Sequence, residues 1–223
     1  MTIYKLKITL LSDTTFGRGD GIAGLIDQEV EHDPYGFPYL RGRTLKGLLS
    51  EESDNLIGVL LPADVCSYWE NIACTLFGVP GSSLQTMGIM HVGDACLPED
   101  LRTAVAWQIK NEELTNNEVL DSLTTIRRQT AINSQIGVAD EGSLRSFRVV
   151  IRQLEFQADL IFETQPSHEI LSFLSASILA LRRIGSGRNR GRGHVKCTLH
   201  DTSGKDITHD YLNLFGKVEE KIR

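Results

Sequence analysis

The stretch from His168 to His200, HEILSFLSASILALRRIGSGRNRGRGHVKCTLH, decides how this chain folds. Pro166, just ahead of it, marks where a helix can begin. Ile170, Leu171, Leu174, Ile178 and Leu181 then recur at three- and four-residue spacing, which makes one apolar stripe on a helix ending by Gly185. After the loop GSGRNRGRG, Val195, Cys197 and Leu199 alternate with Lys196, Thr198 and His200, the period-two signature of a half-buried strand. A helix that returns through a glycine loop into a strand is the second half of a split βαβ unit.

The first half lies at the other end of the chain. Tyr4, Leu6, Ile8 and Leu10 alternate with Lys5, Lys7 and Thr9, so residues 4–10 form a strand. Downstream, RGRTLKGLL places Thr44 to cap a helix from about Leu45 to Ser53. A second helix is expected over 64–77, with Gly78 as its stop, and a strand over 88–97. Residues 98–122 read as an acidic surface insertion, 123–144 as an extended hairpin or mobile loop, and 145–163 as one long strand-like run. The order β, α, β, hairpin, β, α, β predicts an α+β, ferredoxin-like (RRM-like) fold, an antiparallel sheet with its helices on one face. Such a fold serves RNA-recognition modules and metabolic domains alike, so function must come from side chains.

The chain has 223 residues, 41% hydrophobic and 23% charged, with a net charge of −6. Taken whole, −6 argues against nucleic acid, whose phosphates are met by clustered Lys and Arg. The distribution reverses that conclusion. Residues 51–123 carry two basic and twelve acidic side chains, whereas 124–153 carry five basic and two acidic, and 182–196 carry six basic and none acidic. No apolar run reaches the ~18 residues of a membrane span, so a cytoplasmic protein with no membrane partner is expected. Cys66, Cys74, Cys96 and Cys197 lack metal-ligand spacing and read as reduced core thiols, with no zinc expected. The six histidines form no ligand pair, and His200 and His209 read as surface residues. Nucleotide P-loop, dinucleotide and Ser-His-Asp signatures are absent.

Three basic segments can face one ligand. In the glycine loop, Gly185, Gly187, Gly191 and Gly193 permit left-handed backbone and expose N–H groups, while Arg188, Arg190 and Arg192 add forked donors for phosphate. Arg41, Arg43 and Lys46 surround a helix start, where free N–H groups and the dipole favour anions. Arg127 and Arg128 in the hairpin, with Arg145, Arg148 and Arg152 beyond it, extend the positive surface. A second glycine-rich stretch, FGRGDGIAGLIDQEVEHDP, carries Asp27. Beside bound RNA an aspartate there could hold a divalent metal or orient a ribose hydroxyl, and by its residues alone a turn-capping role is favoured.

Five pieces in this order, GIAGLIDQEVEHDP, GFPYLRGRTLKGLL, LFG with GIMHVGDACL, IRRQTAINSQIGVADEGSLRSFRVV and IGSGRNRGRGHV, resemble the RAMP-type backbone subunits of type III CRISPR effector complexes, the Csm- and Cmr-like family. They span about Ile3 to Leu199. The resemblance implies one RAMP domain over 1–223. Its palm would cover about 1–60, 88–97 and 145–200, its acidic helical insertion about 61–122 and its thumb-like β-hairpin about 123–144. It implies guide (crRNA) and target RNA as partners, together with other subunits, including other RAMP subunits. It also implies cleavage of bound target RNA through Asp27, with Mg²⁺ or another divalent cation held there. Thr15-Phe16-Gly17-Arg18 departs from relatives that often have a histidine early in this loop, leaving Arg18 as a guide-phosphate contact. The glycine-rich segment looks closer to the type III-D branch. Three alternatives stay open: a non-catalytic RNA-binding scaffold of the same complex, a guide-processing endoribonuclease, and a metabolic or regulatory domain that binds no RNA.

Overall fold

The computed structural model describes residues 1–60, 63–79, 81, 87–132 and 135–222, so parts of the expected insertion (61–62, 80, 82–86) and of the expected thumb (133–134) lie outside the described residues. Four strands, β1 (Thr2–Leu10), β2 (Met90–Val92), β5 (Glu155–Phe162) and β6 (Val195–His200), form an antiparallel sheet in the order β2-β5-β1-β6. This is the ferredoxin-like order expected of two split βαβ halves. Tyr4, Leu6, Ile8 and Leu10 of β1 are buried beneath α1 (Gly42–Leu60) and α5 (His168–Ala180), and α6 (Thr208–Ile222) packs along α5. Trp69 of α2 (Ala63–Phe77) stacks on Phe173 at 5.4 Å and meets Phe215 at 4.7 Å, which closes the helical layer.

Several local expectations are corrected. Thr44 does not cap the first helix, which starts at Gly42: Asp94 Oδ1, after β2, accepts the Gly42 N–H at 2.7 Å, and a Cβ at Gly42 would overlap the Val92 carbonyl. The strand expected over 88–97 contracts to three residues. The long run 145–163 is two strands in two sheets. It breaks at Gln153, whose φ is 72° and whose N–H donates to Leu10 O at 2.7 Å. α5 starts at His168, with Ser167 Oγ accepting the Ile170 N–H at 3.3 Å. His200 is buried, its ring nitrogens 3.0 Å from Gly204 O and 2.9 Å from Thr198 Oγ1. Cys74 is exposed rather than in the core.

The acidic insertion carries α3 (Glu99–Lys110) and α4 (Asn116–Leu123). Thr115 and Glu118 close a reciprocal capping box at the start of α4. There Gly36, at φ 87°, passes so close that a Cβ would overlap the Asn116 carbonyl. The hairpin is a separate two-stranded sheet of β3 (Thr124–Gln129) and β4 (Arg145–Val150), with Thr124 opposite Val150 and Gln129 opposite Arg145. Residues 130–132 and 135–144 therefore belong to its tip, and β4 belongs to the hairpin rather than to the palm sheet. Thr14 bridges Val150 and roots the hairpin where β1 ends. Among the described residues no helix is long and apolar enough to cross a membrane.

Candidate nucleic-acid interface

The C-terminal glycine loop is fastened at both ends to the chain leaving β1. Gly193 N–H donates to Asp13 O, Ser186 N–H to Thr15 O, both at 2.9 Å, and Thr14 Oγ1 to Ile184 O, also at 2.9 Å. These approaches require glycine: a Cβ at Gly185 would overlap Thr14 Oγ1, and one at Gly193 the Ile184 carbonyl. Between these fixed ends, Gly187 and Gly191, with φ of 77° and 80°, bracket a 3₁₀ turn at Arg188–Arg190.

The three loop arginines have three different environments. Arg188 forks onto Glu51 of α1 at 3.0 and 3.1 Å, and its carbonyl accepts from Arg183. Arg190 is exposed and makes no ion pair among the described residues. Arg192 turns inward. Its guanidinium lies 4.8 Å over the Phe147 ring and donates to Gln129 Oε1 at 3.1 Å, joining the loop to both hairpin strands. Its Nε and Nη1 are buried without a hydrogen-bond partner among the described residues. Burial pulls its pKa below the ordinary arginine value, with repulsion from Arg190 adding to this.

Loop and hairpin together form two adjoining clefts that share Gln129. A cavity of 810 Å³ is lined by Gln129, Thr130, Arg145, Phe147 and Arg190. One of 310 Å³ is lined by Asp13, Arg127, Arg128, Arg152 and Arg192. Arg127 is held by Asp13 at 2.8 Å, while Arg128, Arg145 and Arg152 are exposed. Ile132, Val138 and Leu144 expose an apolar hairpin tip. That tip was not singled out from the sequence, where its residues sit singly among polar neighbours.

The helix-start group divides. Arg41 pairs with Glu31 at 2.7 Å, which raises its pKa, and lines a cavity of 290 Å³ with Gly185 and Arg188. Arg43 is exposed on the first turn of α1. Lys46 points to the sheet edge and donates to Met90 O at 2.8 Å, and burial lowers its pKa. Arg18 is engaged by Asp20 at 2.6 Å, a hydrogen bond that raises the Arg18 pKa.

Asp27 lies beside the tip-side end of β4 in a 560 Å³ hollow with Gly21, Gly24, Leu25, Leu144 and Ser146. Its Oδ2 accepts the Ser146 N–H at 2.6 Å. Residues 27–29 run parallel to β4: Asp27 N–H donates to Ser146 O at 2.9 Å and Arg148 N–H to Gln28 O at 3.0 Å. Gln28 Nε2 reaches Ser186 Oγ at 2.9 Å, connecting Asp27's segment to the C-terminal glycine loop. Among the described residues no three His, Cys, Asp or Glu side chains converge as metal ligands. Asp27 thus offers one exposed carboxylate. That suits a hydrated Mg²⁺, which takes one or two carboxylates and completes its octahedron with water and phosphate oxygens.

A model of the RAMP superfamily matches residues 7–196. No relative is found among curated proteins. Among solved structures, a chain of the cryo-EM structure of type III-B Cmr-beta bound to cognate target RNA aligns with a TM-score of 0.63 at 12% identity, covering 95% of this chain and 99% of that one. A chain of Cmr-beta in its apo state aligns with a TM-score of 0.61 at 13% identity, covering 89% and 97%. At these identities the likeness is one of fold.

Proposed function

From the premise that the chain belongs to the RAMP superfamily, we propose that it is a guide-RNA-binding backbone subunit of a type III CRISPR effector complex, which holds the guide–target duplex and cleaves bound target RNA at Asp27. The observation that carries this reading is the convergence of arginines from sequence-distant segments on the two clefts between the hairpin and the C-terminal glycine loop. Guide and target RNA, and other RAMP subunits, are the partners it implies, and one of the structurally similar complexes is described with cognate target RNA. Sequence would be read by guide–target pairing, with the arginines meeting the backbone. The apolar hairpin tip is suited to lie against base faces, since stacking tolerates any base.

Cleavage needs the ribose 2′-hydroxyl to lose its proton to water and attack the adjacent phosphorus in line, while the bond to the next nucleotide's 5′-oxygen breaks, that oxygen takes up a proton, and the phosphate's charge is relieved. Asp27 would act from its hollow beside the tip-side end of β4, with Oδ2 braced by the Ser146 amide. A divalent cation held by Asp27 and RNA phosphate would supply the charge neutralisation. Asp27→Ala in the assembled complex is expected to slow cleavage at the matched site by on the order of 10²-fold or more, with target binding retained. Chelation by EDTA should reproduce that pattern. The Ser146 bond also supports a second reading, in which Asp27 only caps the loop on β4 and the subunit is a non-catalytic scaffold. Unchanged cleavage in Asp27→Ala would select it.

A further inference from the structure

We propose that Arg148 and Glu29 are positioning residues for Asp27: a buried ion pair that fixes the segment carrying this carboxylate against strand β4 of the hairpin. The inference rests on the reading of Asp27 as the cleaving residue.

An arginine on a hairpin strand of an RNA-binding protein would ordinarily face phosphate. Arg148 does not, because its side chain is 14% exposed and Glu29 only 4%. Its Nε lies 2.9 Å from Glu29 Oε1 and 3.2 Å from Oε2. Its Nη1 donates to Asp121 Oδ1 at 2.7 Å and to Thr124 Oγ1 at 3.1 Å. One guanidinium therefore ties together Asp27's segment, the end of α4 and the start of β3. On the other side, Glu29 Oε1 accepts the Val30 N–H at 2.9 Å, which fixes the carboxylate's own orientation. A planar fork with fixed acceptors restricts rotation as well as distance, which a lysine cannot do.

Asp27 stands at a bend two residues before Glu29, and Gln28 between them, bridging Phe147, leaves the face opposite Glu29. Gln28 accordingly reaches Ser186 in the C-terminal glycine loop, a contact so close-set that a Cβ at Gly17 would lie 2.6 Å from Gln28 Nε2. Asp27 is then located by three links: the Ser146 amide on its carboxylate, the Gln28–Ser186 bond behind it, and the Glu29–Arg148 pair beside it. Of the three, the ion pair has the deepest burial and the most bonds. Removing Arg148 leaves the Glu29 carboxylate as an uncompensated buried charge, which the segment can relieve only by shifting, whereas Arg148 without Glu29 keeps Asp121.

The test uses the assembled complex with guide RNA, carrying Arg148→Met or Glu29→Gln. Three quantities are read: cleavage rate at saturating target, target RNA Kd, and hydrogen exchange of the Ser146 amide. Arg148→Met is expected to slow cleavage on the order of 10²-fold through misplacement of Asp27, and to raise Ser146 exchange about tenfold, with Kd little changed. Glu29→Gln keeps an acceptor for Val30 and should give a smaller loss in the same two readouts. Arg148→Lys, which restores charge without the fork, should recover activity only in part. Unchanged cleavage and exchange in both variants would overturn the proposal, as would a cleavage loss fully matched by lost affinity. If Arg148→Met does not assemble, Glu29→Gln decides. An Asp27→Asn control with wild-type cleavage would remove the catalytic reading of Asp27, while Ser146 exchange would still report whether the pair holds that residue.

Discussion

Arg190→Ala and Arg192→Ala, two positions apart in one loop, are expected to fail in opposite assays. Arg192 donates to Gln129 Oε1 at 3.1 Å and covers the Phe147 ring at 4.8 Å. A hydrogen bond from a charged donor contributes about 1.5–3 kcal/mol, and a partly desolvated cation–π contact about 0.5–2 kcal/mol. Against this, each of the two buried nitrogens without a partner costs about 1–3 kcal/mol, which alanine would relieve, although truncation also strips the packing of the stem over Phe147. These opposing contributions largely offset, and with the lost packing the net loss is about 1 kcal/mol, or a Tm drop of roughly 2–4 °C for a chain of this size. Arg190 is exposed and unpaired among the described residues, so Arg190→Ala should leave stability within about 0.5 kcal/mol. Its effect should appear in RNA binding, where each lost phosphate contact lowers the slope of log affinity against log salt by about 0.7–0.9. Thermal melts and filter binding across a salt series separate the two. If Arg192→Ala flattened the salt slope and left the Tm untouched, the inward placement of Arg192 would be refuted.

Glycine substitutions in the same loop should be graded by what surrounds each position. Gly193→Ala would drive a Cβ into the Ile184 carbonyl and is expected to cost several kcal/mol or prevent folding, whereas Gly191→Ala, with open space around it, should cost only the left-handed backbone penalty of about 1–2 kcal/mol; denaturant melts distinguish them. Glu118 is held below the ordinary glutamate pKa by the hydroxyl and N–H of Thr115. A depressed carboxylate stabilises the fold above its unfolded pKa and loses that contribution as pH falls through the folded value. The stability difference between wild type and Glu118→Gln should therefore narrow on acidification, as read by melts at a series of pH values.

The palm was legible because its signals are local. β1 and β6 show alternation, and α5 shows a continuous apolar stripe, each decided within a dozen residues. Their pairing follows from the right order of two βαβ halves. The break at Gln153 was not legible, since Phe147 to Phe162 reads as apolar alternation in either sheet and only contact with Leu10 divides it. Asp94 capping Gly42 is a partner 52 residues away, and Thr44 offered a plausible local substitute. The helix α6 went unread although Ile207, Tyr211, Leu214 and Val218 recur at three- and four-residue spacing; the structure turns Tyr211 and Phe215 toward α5 and Trp69. At the interface, the basic segments were visible as charge, but charge does not state direction. Arg188 and Arg148 look alike in sequence, and the structure pairs one with Glu51 across a surface cleft and buries the other against Glu29. Phe147, Gln129 and Ser146 carried no signal of their own, because their roles arise only where hairpin and loops meet.

The account stands most directly on whether this chain binds RNA through its arginine-lined clefts. The decisive measurement is the affinity of the purified, nucleic-acid-free chain for single-stranded RNA across a salt series. With four to six arginines meeting phosphate, log affinity should fall against log salt with a slope of about −3 to −4, and charge reversal at Arg128, Arg145 and Arg190 together should abolish most of it. A chain that binds no RNA at low salt, or whose binding ignores both salt and those reversals, would contradict the account.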